Sequence, residues 1–383
     1  MIEYSDRALL PEGFHDTLAP AAEYEATVRE RLLSRFAAFG YDRVAPPLVE
    51  FEESLLSGSG KTQARRMFRV MDPTTQRMMG VRTDITIQVA RIASTRLADV
   101  ARPLRLCYAG EVLRVKGGQL RTEREFGQAG IELIGSSSLD ADVEALLLAS
   151  EALKAAGLPS VSIDLTVPNL APLLARELGL ECEVADNLRA ALNNKDIGRL
   201  EAVEGMAGRL FRGLLSAAGP ADDALRVLKA LDLTASARAV VAELEALVAR
   251  LGEVAPDQVF TIDPGEFRGF EYKTGIAFTL FSDNVRGELG RGGRYEIERP
   301  DGSRETATGF TVYIDSLLRA LPQPDPVRKV YVPHGVSAEV ISGLHDAGWR
   351  TLQALETGNE REQEARKLGC SHILNGEAVN PLA

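Results

Sequence analysis

Six polar residues crowd one short stretch of the chain: Glu111, Arg114, Glu123, Arg124, Gln128 and Glu132 all fall on or beside two predicted strands between 105 and 134. Gln128 and Glu132 are four positions apart, and the period of two in a strand aims both at one face of a sheet. A sheet face carrying Arg, Gln and Glu is costly to bury unless those groups meet a polar ligand or one another. A self-satisfied polar network is therefore the competing reading. A second polar run, Arg268-Gly269-Phe270-Glu271-Tyr272, opens a later strand. Guanidinium and carboxylate groups on one sheet suit a zwitterion: Arg for its carboxylate, Asp or Glu for its ammonium. An amino acid is the natural candidate.

Other chemistries find less support. Ser57 to Thr62, SGSGKT, resembles a phosphate loop, but the glycine required five positions before Gly60 is Leu55, so a plain loop is the better reading. Gly290-Arg291-Gly292-Gly293-Arg294 lacks the context of a dinucleotide loop. It reads as a tight turn that could bring backbone and two arginines to a ligand. The four histidines, His15, His334, His345 and His372, are scattered, which supports neither a zinc cluster nor a His-based triad. No serine sits in a GxSxG elbow. Cys107, Cys182 and Cys370 form no CxxC pair, and an odd count fits no disulfide framework.

Around these residues stands a chain of 383, with 44 Lys and Arg against 55 Asp and Glu and a formal charge of −11. That balance argues against a surface built wholly for nucleic acid. No run approaches the ~18 apolar residues of a membrane span, and the charged N-terminus does not read as a secretory signal. Between Lys61 and Arg124, however, 14 Lys and Arg face only 5 Asp and Glu. A cationic block in an acidic chain suggests an anion site, set against the plainer reading of structural ion pairs.

The elements that must position these residues follow from periodicity. Residues 21–39 place Val28, Leu32, Phe36 and Phe39 on a helical stripe that Gly40 ends. YDRVAPPLVEF reads as a strand interrupted by Pro46 and Pro47. A strand pair spans 105–134, and a helix runs from about Asp140 to Ala156 and stops at Gly157. SVSIDLTVP alternates as a strand. From about Asn169 to Glu253 the spacing predicts roughly five helices, after which QVFTID, YKTGIAFTLF and TATGFTVYI read as strands. The tail from Val327 reads as strand, helix, strand, helix, strand.

Together these segments resemble class II histidyl-tRNA synthetases. The resemblance covers roughly residues 8–320 and rests on ordered matches: PEGFHDTLAP; GYDRVAPPLVEFEESLL, like motif 1; MFRVMDPTTQRMMGVRTDITIQVARI; CYAGEVLRVKGGQLRTEREFGQAGIELIG, like motif 2; RGFEYKTGIAF; and GRGGRYE. Among relatives of that enzyme, the acidic composition and the length look most like the regulatory subunits of ATP phosphoribosyltransferase. The resemblance implies an α+β fold, with a class II aminoacyl-tRNA synthetase-like antiparallel sheet flanked by helices. It implies a core of residues 1–168 and 254–321, a helical insertion at 169–253, and a truncated anticodon-binding-like α/β unit at 327–383.

It also implies roles. Asp84 and Thr86 match positions that hold a histidine ammonium. Arg114, Gln128 and Arg268 match positions near its carboxylate or the activated acyl group, and Glu132 matches the carboxylate that reads the imidazole. Tyr272 and Tyr295 would wall the pocket. Catalysis is not expected: Ser316 stands where motif 3 of the synthetases carries a phosphate-clamping arginine, and serine cannot stabilise developing charge as a guanidinium does. Lys116 replaces a glutamate facing adenine, and Lys273 replaces a tyrosine beside the imidazole. The tail's cations do not outnumber its acids, which is weak equipment for tRNA. The implied protein is a non-catalytic, cytoplasmic partner of the short catalytic subunit. It would form a homodimer within a hetero-oligomer, take free histidine as effector, and use no cofactor, metal, tRNA or membrane. The alternative is a divergent histidyl-tRNA synthetase that activates histidine with ATP.

Overall fold

The computed structural model describes residues 9–56, 63–118, 121–267, 269–270, 272–324, 326–358 and 360–382. The chain divides into two compact units, Met1–Pro322 and Gln323–Ala383.

The first unit begins with α1 (Ala21–Ala38), which buries Val28, Leu32, Leu33 and Phe36 along one side. Phe36 meets Phe310 edge-on at 5.7 Å, so this stripe is sealed against the sheet. Phe39 lies half-buried at its margin under the Arg35 guanidinium, and the helix stops at Gly40, whose φ is +82°. The stretch expected as one interrupted strand is two: β1 (Asp42–Arg43) and β2 (Val49–Phe51), which belong to different sheets. Two prolines cannot donate to a ladder, so the chain crosses between sheets at Pro46-Pro47.

A short helix, α2 (Glu52–Leu55), precedes β3 (Arg69–Met71) and β4 (Met78–Val81), which complete a three-stranded sheet with β2. Then come α3 (Thr86–Thr95) and the long hairpin of β5 (Leu104–Leu113) and β6 (Glu125–Ile134). The next helix, α4 (Leu139–Ala156), is capped by the Ser138 hydroxyl accepting from the Asp140 amide and ends at Gly157, φ +110°. After β7 (Ser162–Thr166) comes the helical segment: α5 (Leu170–Glu177), α6 (Cys182–Asn193), α7 (Ile197–Glu201), α8 (Gly205–Ser216), α9 (Ala221–Ala230) and α10 (Ala235–Val254). That is six helices rather than five, with the two-residue β8 (Gly219–Pro220) between them. The short α7 has too few residues to show a helical period.

The chain returns through β9 (Val259–Ile262), β10 (Lys273–Phe281), β11 (Gly290–Glu298), β12 (Arg304–Tyr313) and α11 (Ile314–Ala320). The main sheet runs β1-β5-β6-β12-β11-β10-β7-β9-β8. It is antiparallel except where β1 joins β5 and β7 joins β9. One apolar core joins α1 and α4, the sheet, and the helical segment through Leu188, Leu192, Phe211 and Leu244.

The Gly290–Arg294 run is not a turn. It forms the first half of β11, in the middle of the sheet. The glycines serve close approach: a Cβ on Gly292 would overlap the Phe278 ring, and one on Gly293, φ +136°, would sit 2.5 Å from Ala277 Cα. Opposite Gly293 the β10–β11 register shifts between Lys273 and Ala277, a bulge that turns the start of β10.

The second unit is a four-stranded sheet in the order β14 (Arg350–Gln353), β13 (Lys329–Val332), β15 (His372–Asn375), β16 (Ala378–Pro381). Two helices, α12 (Ala338–Asp346) and α13 (Arg361–Lys367), complete it. Its first five elements follow the expected alternation, and β16 is additional.

Candidate functional site

The site is assembled where α3 begins against the β5–β6 hairpin. Asp84 Oδ1 accepts from the Thr86 amide at 2.8 Å and so secures the first turn of α3. Gln128 bridges the same place: its Oε1 accepts from the Ile85 amide at 3.2 Å, and its Nε2 donates to Asp84 Oδ2 at 3.3 Å. The Asp84 carboxylate is thus fixed in position by a helix start and a strand side chain.

Four residues further along β6, Glu132 is almost wholly buried. The Tyr295 hydroxyl donates to its Oε2 at 2.8 Å and the Tyr108 hydroxyl to its Oε1 at 3.4 Å. Tyr108 Oη also pairs with the hydroxyls of Thr311, at 2.7 Å, and Thr86, at 3.1 Å. Burial pushes the Glu132 carboxyl up from the ordinary carboxylate range, while Lys273 and then the Tyr295 hydroxyl draw it back. Lys273 is held in turn: its Nζ donates to the Gly293 carbonyl at 2.9 Å. It lies 4.8 and 4.7 Å from the ring centroids of Tyr272 and Tyr295. Burial lowers the proton affinity of Lys273, and Glu132 is the first charge opposing that.

In front of this network lies a cavity of about 470 Å³. Asp84, Tyr272, Lys273, Thr311 and Tyr313 line one part, and Gln63, Arg66, Arg114, Glu288 and Arg291 line the rest with Gly269 and Phe270. Of the residues singled out from sequence, Asp84, Arg114 and Tyr272 line the cavity directly. Thr86, Gln128, Glu132 and Tyr295 stand behind it, hydrogen-bonded to one another or to its walls. Arg268 lies outside the described residues, as do Glu271 and the SGSGKT segment. Tyr108, Thr311 and Arg66 escaped sequence reasoning. Tyr108 shares the face of an alternating strand, which was the available signal, but its partners lie on other elements.

The cationic block divides in two. Arg69, Arg77, Arg91, Arg102 and Arg105 are taken up by Glu52, Glu53, Glu50, Glu305 and Glu144. Arg82 is spent on the carbonyls of Glu111 and Pro46. Arg66 and Arg114 remain on the cavity wall. The two arginines of the glycine-rich run separate: Arg291 lines the cavity, whereas Arg294 pairs with Asp142 in the interior.

Ser316 is buried at the start of α11, where its Oγ accepts from Arg121 at 2.8 Å. Arg121 also pairs with Asp315 at 2.9 Å and stacks 4.7 Å from the Phe126 ring and 4.0 Å from the Tyr313 ring. This guanidinium therefore covers the aromatic face beside the cavity and is already matched by a carboxylate. Lys116 is exposed. No group of three or more His, Cys, Asp or Glu able to hold a metal occurs among the described residues, and no described helix is long and apolar enough to cross a membrane. The arrangement offers a guanidinium end, a fixed carboxylate at Asp84, and a buried ammonium at Lys273 in the field of Glu132, which together fit a small zwitterion with a polar side chain.

The family model for histidyl-tRNA synthetase matches residues 13–317. The ATP phosphoribosyltransferase regulatory subunit of Rhodospirillum centenum is 50% identical over 375 residues, covering 98% of this chain and 96% of that protein. The subunit of the same name from Paramagnetospirillum magneticum is 50% identical and covers 99% of both chains. A crystal structure described as an ATP phosphoribosyltransferase regulatory subunit/histidyl-tRNA synthetase from Bacillus halodurans superposes with a TM-score of 0.80 at 25% identity, covering 94% of this chain and 96% of that one. The histidyl-tRNA synthetase of Nostoc sp. shares the fold alone, at TM-score 0.78 and 20% identity over 96% of this chain and 91% of that one. The expected class II synthetase-like α+β fold is thus what the chain adopts, and by sequence the chain belongs to the family of ATP phosphoribosyltransferase regulatory subunits.

Proposed function

We propose that this regulatory subunit binds free histidine in the cavity between α3, the β5–β6 hairpin and β10, and that it acts by assembling with the short catalytic subunit of ATP phosphoribosyltransferase. The catalytic subunit carries out the glycosyl transfer, in which ATP and phosphoribosyl pyrophosphate give phosphoribosyl-ATP and pyrophosphate. This chain makes that first step of histidine biosynthesis responsive to its end product. Asp84 receives the ammonium, Arg114 and Arg268 receive the carboxylate, and Glu132 receives a ring N–H. Thr86, Gln128, Tyr272 and Tyr295 hold these groups in place.

The observation that supports this reading is a cavity whose wall carries Asp84 and the guanidinium groups of Arg66, Arg114 and Arg291, beside an Arg121 already matched by Asp315. Arg121 is committed to Asp315 and Ser316, so the guanidinium beside the aromatic face is neutralised from within. The molecule works in the cytoplasm as a homodimer inside a hetero-oligomer, without tRNA. Regulation then amounts to a coupling free energy of about 1–3 kcal/mol between sites on different chains.

Reconstitution tests it. Mixed with the short catalytic subunit, the chain is expected to raise phosphoribosyl-ATP formation, and histidine is expected to lower it again. A mixture that neither assembles nor responds to histidine rules the reading out. Histidine-dependent exchange of pyrophosphate into ATP by the isolated chain would instead establish a synthetase.

A further inference from the structure

We infer that Lys273 is a specificity-determining residue that makes the pocket accept its ligand's ring only in the neutral form, an inference that rests on the histidine reading above.

A lysine beside a cavity usually extends its stem and keeps its ammonium in water. Lys273 does the reverse. The bulge between Lys273 and Ala277 turns the start of β10, and the Nζ is pinned by the Gly293 carbonyl and laid against two tyrosine rings. One of those rings belongs to Tyr295, whose hydroxyl holds Glu132. The charges facing the ammonium come from three other elements: Glu132 on β6, Asp84 ahead of α3, and Asp142 on α4. Asp142 is already matched by Arg294 and the Thr308 hydroxyl. Asp84 is engaged by the start of α3 and by Gln128. Glu132 is thus the carboxylate to which Lys273 supplies the opposing charge before any ligand arrives.

The consequence for a ring ligand follows from counting donors. A neutral imidazole carries one N–H and one bare nitrogen. The N–H can donate to Glu132 while the bare nitrogen accepts from the Lys273 ammonium. A ring that turned its N–H to Glu132 and its bare nitrogen to Lys273 would be read as a single tautomer. An imidazolium has two N–H donors and a positive charge. Beside a desolvated ammonium it would bring two like charges together where water cannot screen them. Without Lys273 the pocket loses both the donor to the bare nitrogen and the ammonium that repels a second cation. The opposed shifts of Glu132 and Lys273 agree with this picture, since each burial penalty is relieved by the other group.

The test uses ¹⁵N-ring-labelled histidine bound to the full chain at pH 6, read by NMR. One protonated and one bare ring nitrogen is the expected result, and two protonated nitrogens overturn the inference. Calorimetry adds a second reading. With a ring pKa of about 6.5, wild-type affinity is expected to fall about tenfold between pH 7.5 and 5.5. For Lys273→Gln the same labelled ligand at pH 8 is expected to show both ring tautomers, because a glutamine amide both donates and accepts, and an unchanged single tautomer overturns the assignment. The labelled-ligand measurement at pH 6 needs no variant, so a misfolded Lys273→Gln leaves the test intact. No saturable histidine binding by the wild type at any pH removes the histidine reading itself, and this inference with it.

Discussion

Glu132 holds two tyrosine hydroxyls and faces an ammonium, so its removal is felt by the pocket more than by the surface. Glu132→Ala is expected to weaken histidine binding at least about tenfold, the scale of a lost charge-assisted hydrogen bond. Co-elution with the catalytic subunit should be unchanged, and loss of the complex in that variant would count against the assigned role. Glu266 tests a different balance. Burial pushes its carboxyl up to about 7; Arg291 opposes this, while Asp164, Asp263 and Glu288 add to it. Between the usual carboxylate range and pH 7 the folded chain then holds a proton that the unfolded chain has released. Stability therefore falls as pH rises through that window. Glu266→Gln removes the effect, so urea denaturation at pH 8 should show the variant roughly 2–3 kcal/mol more stable relative to wild type than at pH 4.5. At this scale the sequence was informative where a single strand sufficed: Gln128 and Glu132 share a face because a strand has period two. Tyr108, Thr86 and Thr311 meet only because β5, α3 and β12 converge, which no local pattern reveals.

Among the elements, β11 shows where local signals mislead. A run of Gly, Arg, Gly, Gly, Arg carries the composition of a turn, yet it is a central strand because Phe278 and Ala277 leave no room for side chains there. Gly292→Ala is accordingly expected to cost about 1–3 kcal/mol in chemical denaturation; a neutral result would mean that the Phe278 ring moves aside easily. The same reasoning accounts for the other departures. YDRVAPPLVEF alternates like one strand, but its prolines break the ladder and send the halves to separate sheets. The Asn169–Glu253 segment was readable as helical from its spacing, while the five residues of α7 gave too little period to be counted. Long elements with a sustained period, α1, α4 and the β5–β6 hairpin, were legible nearly to their ends. Gly40 and Gly157 supplied the stops.

For the whole molecule, the two units make a direct probe available. The chain's single tryptophan, Trp349, belongs to the small unit, where Arg328 stacks 4.1 Å from its ring and His372 meets it at 4.6 Å. A unit of that size buries a small core and is marginal by itself. Tryptophan fluorescence is expected to change at lower urea than the far-UV circular dichroism carried mainly by the larger unit; coincident curves would show a single cooperative transition. Within the larger unit, the helical segment is not an appendage, because Lys195, just after α6, holds Asp263 at 2.5 Å and Leu192 packs beside Gly265. The backbone from Asp263 runs on through Glu266 to Phe270, Tyr272 and Lys273 at the cavity wall. Asp263 is thus moored to the helices, while Phe270, Tyr272 and Lys273 stand at the cavity wall. Thermodynamic reciprocity then binds the two ends: whatever factor a change at the mooring imposes on ligand affinity, ligand occupancy returns to the mooring. A partner that seated itself on the helices and a small molecule that entered the pocket would, through the mooring at Asp263, each set the terms on which the other binds.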